Sequence, residues 1–101
     1  MELSVMDRLL ILNLDTLPKV GSIVTLKIKQ QLALDVGFTE QEIKDFEIKQ
    51  EGQQVTWNPE AEPVHIEVGP EAVKMLIEAL EKSENLHEGY IALYDKLKAA
   101  A

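Results

Sequence analysis

The sequence predicts an α+β fold: three N-terminal helices, a small three-stranded antiparallel sheet containing a hairpin, and two C-terminal helices. Two observations lead there. Apolar residues recur at helical steps before Phe46, in short alternating runs separated by turn residues between Phe46 and Val68, and at helical steps again after Gly69-Pro70. The chain is also the length of one domain, with 101 residues of which 46% are hydrophobic and 28% charged, so residues 1–101 are expected to form a single globular domain around one core.

Each element has a local reason. Ser4 with Asp7 resembles a capping box, and the run Val5, Met6, Leu9, Leu10, Ile11, Leu12, Leu14 then reads as a first helix over 5–14 that is apolar on most sides. Pro18 and Gly21 interrupt the chain. Residues 23–29 fit two periods. Val24, Leu26 and Ile28 alternate as in a strand, whereas Val24, Ile28 and Leu32 sit four apart, with Ser22 as a cap and Gly37 as a stop. Length favours a helix over 23–35. Thr39 with Glu42 opens a short third helix through Ile43 and Phe46.

The period then falls to two. Phe46, Ile48 and Gln50, a loop around Glu51-Gly52-Gln53, and Val55 with Trp57 predict a hairpin, with Trp57 plugging the core. Asn58-Pro59 ends it, and Val64, Ile66 and Val68 predict a third strand. Proline at the first helical position after Gly69 begins a helix with the stripe Val73, Leu76, Ile77, Leu80. Asn85 with Glu88 reads as the cap of a last helix whose stripe is Leu86, Tyr90, Leu93, Tyr94, Leu97.

The formal net charge is −8, and it is unevenly placed. Residues 1–35 are neutral, residues 36–69 carry eight acids against Lys44 and Lys49, and residues 70–101 carry six acids against four lysines. Phosphate-gripping surfaces need clustered cations, so the acidic middle opposes nucleic-acid binding. Helix–helix–helix–hairpin order does raise a winged-helix arrangement. Its reading helix would be residues 39–46, with three acids, one lysine and no arginine; Arg8 is the chain's only arginine.

Little of the sequence points to catalysis. No cysteine is present, which excludes a disulfide framework and thiolate zinc sites. His65 and His87 lack an evident metal or acid–base partner, and Ser4, Ser22 and Ser83 are accounted for by caps and helix ends. The expectation is a non-enzymatic protein with no cofactor and no metal. The N-terminus has no basic region before its apolar residues, and no apolar run approaches a membrane span, so a cytoplasmic protein is expected.

The segments Asp7-Arg8-Leu9-Leu10-Ile11-Leu12-Asn13-Leu14, Leu17-Pro18-Lys19, Thr25-Leu26-Lys27-Ile28, Gly37-Phe38-Thr39-Glu40 and Trp57-Asn58-Pro59 resemble a group of small phage- and prophage-encoded proteins of unknown function. The resemblance spans most of the chain, with Asp15-Thr16 standing as an addition. It implies a phage gene product acting in the host cytoplasm and a helix over 23–35, and it supplies no catalytic residue.

A protein that works by contact with another protein, or with a second copy in a dimer, is therefore expected. The candidate surface joins the first helix, through Leu10 and Leu14, to the aromatic face of the last, through Tyr90 and Tyr94. The alternative is an acidic mimic of nucleic acid directed at a basic host protein. DNA binding by a winged helix ranks third.

Overall fold

The computed structural model describes residues 1–14 and 16–101. Asp15, half of the Asp15-Thr16 addition, lies outside the described residues. The elements run β1 (Glu2–Leu3), α1 (Val5–Leu12), α2 (Ile23–Val36), α3 (Glu40–Asp45), β2 (Lys49–Glu51), β3 (Gln54–Thr56), β4 (Val64–His65), α4 (Pro70–Lys82) and α5 (Gly89–Ala100). The class is α+β with five helices among the described residues, as the period changes predict.

Local chemistry sets most helix starts. Ser4 Oγ accepts from the Asp7 amide at 3.1 Å while Asp7 Oδ2 accepts from the Ser4 amide at 3.0 Å, completing the expected capping box. Thr39 and Glu42 form the second box, both bonds at 3.1 Å. Ser22 Oγ accepts from the Thr25 amide and settles residues 23–29 as helix. The last helix departs from expectation. Glu88 is its first flanking residue and makes no side-chain cap; His87 Nδ1 instead accepts from the Gly89 amide at 3.0 Å. Leu86 consequently lies before the helix, outside the stripe assigned to it.

Gly37 closes α2 in extended backbone. A Cβ there would come within 2.9 Å of the Ala33 carbonyl, so glycine is required by close approach rather than by a left-handed turn. Gly52, at φ 63°, is the first of two residues linking β2 to β3, the place where a II′ hairpin turn needs glycine.

The three-stranded sheet is replaced by two separate pairs of strands. The hairpin is as expected in kind, pairing Lys49 with Thr56, Gln50 with Val55 and Glu51 with Gln54, but Phe46 closes α3 instead of opening the strand. The third predicted strand shrinks to Val64–His65 and pairs antiparallel with β1, Leu3 opposite Val64. A strand of two residues has no readable period, so β1 left no trace in the sequence. Its pairing carries Leu3 into the core.

That core is built by α1, α2, α4 and α5. Leu10, Ile11, Leu14, Leu32, Val36, Val73, Leu76, Leu80, Leu93 and Leu97 are buried in one cluster with Leu3. Burying a side chain such as Leu76 completely contributes about 1.5–3 kcal/mol. Trp57 is not in the cluster. It is half-buried, like Phe46, Ile48 and Val55, so the hairpin forms a separate layer and the expected plug is a correction.

Candidate functional site

The predicted surface does not survive as one face. Leu10 and Leu14 are only 6% and 7% exposed: both are buried in the core cluster, Leu10 on α1 and Leu14 just beyond the end of that helix. Only Met6 and Leu12 of that helix remain substantially open. Tyr90 and Tyr94 sit at the core edge, packed against the cluster. Tyr94 donates to Glu81 Oε2 at 3.3 Å, and the Tyr90 ring lies 4.8 Å from that of His87. With Leu80, Leu86 and Ile91 the tyrosines line a shallow depression. Leu14 joins Tyr90 only in a second, more polar depression against the α4–α5 connection, and Leu10 lines neither.

The apolar surface that sequence reasoning missed is on α2. Ile23, Val24 and Leu34 are 68%, 65% and 71% exposed, and Val20, just before the helix, is open as well. Ile23, Lys27, Gln31 and Leu34 recur at steps of three and four and so share one side. Ile23, Val24, Lys27, Ile28 and Gln31 line an open apolar trough along it. The opposite side sends Leu32 and Val36 into the core. Apolar residues on both sides blur the helical period. That blurring is why this segment also fitted a strand, and it was the available signal of a helix with two apolar faces.

Charged groups divide into those used internally and those left outside. Arg8 is 2% exposed. Its Nε donates to the Val36 carbonyl at 2.9 Å and Nη2 to the Gly37 carbonyl at 2.7 Å. Nη1 and Nη2 also donate to Glu42 Oε2 and Oε1 at 2.7 and 2.9 Å, and the guanidinium lies 4.1 Å from the centre of the Phe38 ring. This fork holds the Glu42 carboxyl at about 2, well below its ordinary 4.5, despite the opposing effect of burial. Asp7, also buried, pairs with Lys96 and so ties α1 to α5. No buried side-chain nitrogen or oxygen among the described residues lacks a partner.

His65 is placed between two carboxylates, Nδ1 at 3.0 Å from Glu2 Oε1 and Nε2 at 2.7 Å from Glu67 Oε1. The hydrogen bond to Glu67, then that to Glu2, raises its pKa above the usual histidine value. The carboxylates engage opposite ring nitrogens, so the three groups do not converge on one point. Among the described residues no group of three or more His, Asp or Glu is arranged to hold a metal ion. Nor is any helix among them long and apolar enough to cross a membrane.

The acids of the middle segment face outward. Glu40, Asp45, Glu47, Glu51, Glu60, Glu62 and Glu67 are exposed, and only Glu42 is drawn inward to Arg8. Comparison with known proteins adds no neighbour: no family model matches the chain, and no curated protein or solved structure matches it either.

Proposed function

We propose that this chain is a non-catalytic interaction protein of the small phage-encoded kind that its sequence resembles, working in the cytoplasm by presenting α2 to a protein partner. The observation that carries this reading is the outward apolar side of α2. Contiguous exposed apolar surface on a small protein marks a contact site. Covering the open two-thirds of Ile23, Val24 and Leu34 would contribute about 1–2 kcal/mol each. Tyr90 and Tyr94 serve the core edge in this reading, and Leu10 and Leu14 serve the core.

The outward acids between Glu40 and Glu67 favour a second reading, in which that segment meets a basic protein as a nucleic-acid mimic. A photo-crosslinking side chain separates the two. Placed at Leu34, it is expected to give discrete protein adducts in host and phage-infected lysates, and Ile23→Ser is expected to diminish them. Placed at Gln53 on the hairpin, it is expected to give none. Adducts from position 53 alone would replace the first reading with the second, and equal labelling from both positions would overturn the α2 assignment. An adduct of twice the chain mass would identify the partner as a second copy.

A further inference from the structure

The stretch of chain that leads into and forms most of α2 is opposite in charge to the rest of the sequence. Between Asp15 and Asp35 the chain carries Lys19, Lys27 and Lys29 and no acid, within a protein of net charge −8. Lys27 is exposed and lines the trough itself, beside Ile23, Val24 and Gln31. Lys19 is exposed just ahead of the helix, and Lys29 is half-buried on its other side. Asp35, the first acid beyond, is already held by Gln31 Nε2 at 2.8 Å. The trough is therefore an apolar strip with a cation in its middle, and none of the residues that line it is a carboxylate.

We infer that α2 takes an amphipathic helix with apolar residues along its seam and acidic residues beside them. This rests on the reading of α2 as the contact surface. A helix fits because the trough follows α2 from Ile23 to Gln31, with Leu34 exposed one step beyond, at the three- and four-residue steps that a second helix packs against. Acid beside the seam complements Lys27, whose stem can lie along the apolar contact while its ammonium meets a carboxylate at the rim.

A second copy is a poor occupant. Antiparallel pairing of two α2 helices about the middle of the strip sets Lys27 close to its own counterpart, with like charges facing each other across the seam. An anionic membrane would match Lys27 as well, but it is a plane and does not seat in a trough that follows one helix.

The test uses the intact chain and two fluorescent helical peptides of roughly 15 residues that share a leucine seam, one flanked by glutamate and one by lysine. Net charge alone favours the lysine peptide, whereas the α2 surface favours the glutamate peptide, so the two predictions oppose each other. By anisotropy the glutamate peptide is expected to bind at least about tenfold more tightly, with the preference shrinking as salt rises from about 0.05 M to about 0.5 M. Lys27→Glu is expected to reverse the preference, and Ile23→Ser with Leu34→Ser to abolish binding, all with unchanged circular dichroism.

Tighter binding of the lysine peptide, or a preference indifferent to Lys27→Glu, would overturn the inference. Binding to phosphatidylserine vesicles in place of either peptide would overturn it in favour of a membrane surface. If neither peptide binds while crosslinks still concentrate at position 34, the acidic-helix partner fails and the α2 contact surface stands.

Discussion

Arg8 joins three helices at one point. It leaves α1, takes the last carbonyls of α2 and closes on Glu42 of α3, so a single side chain fixes how the third helix meets the first two. Within the sequence Arg8 was one cation among four in a neutral third of the chain. Nothing in the spacing placed it inside, because Glu42 is 34 residues away and its visible role was as a helix cap. The capping box and the fork use the same carboxylate, and only the first is a local pattern. Arg8→Ala should cost about 3 kcal/mol in urea denaturation, since it strands the carboxylate and two carbonyls. The pH dependence has a definite sign. Glu42 titrates lower in the folded chain than in the unfolded one, so its contribution is complete above about pH 4.5 and is lost as pH falls toward about 2. Glu42→Gln should flatten that part of the stability profile, and an unchanged acid limb would show that the fork does not stabilise the fold.

The hairpin and α3 illustrate how far an element can be read without its neighbours. The glycine at the turn and the alternation of Val55 with Trp57 located the hairpin correctly. Alternation says that one side is sheltered; it does not say by what or how deeply. Here β2 and β3 pair only with each other, and their sheltered side is half-buried, so an element of this size is marginal by itself. Trp57→Ala should accordingly cost about 1–2 kcal/mol, well below the 3–5 kcal/mol typical of a fully enclosed aromatic, whereas Leu76→Ala should cost about 2–5 kcal/mol. Equal losses in thermal melts would place Trp57 in the core after all. Amide exchange is the companion measurement: protection in β2 and β3 should be lost at lower free energy than in α4.

Across the whole molecule, charge and apolar surface are segregated. The acids of the middle segment other than Glu42 face solvent, Lys27 borders the open side of α2, and Arg8 is withdrawn into the interior. That withdrawal bears on DNA. The one arrangement that could have offset the acidic surface was a shared face for Arg8, Lys19, Lys27 and Lys29, and of these only Lys19 and Lys27 are exposed. Two cations release too few counterions for firm non-specific binding. A mobility-shift assay at low salt should therefore show no retention of duplex at micromolar protein. Salt-sensitive retention would reverse this and direct attention to Lys27.

Legible in the amino-acid order were the α+β class, the five helices found among the described residues, the capping boxes at Ser4 and Thr39, the hairpin and the proline start of α4. Each of these depends on residues within a turn or two of one another, or on a period carried along a single element. Tertiary structure decided the rest. It divided the strands into two pairs, because β1 is too short to announce itself and β4 had to find its partner across more than 60 residues. It turned Leu10 and Leu14 inward and left Ile23, Val24 and Leu34 outside. A periodicity shows which residues share a side of a helix, but when two sides are apolar only the packing of the other helices determines which one is covered. The candidate site lay within that ambiguity, on the second apolar side of α2.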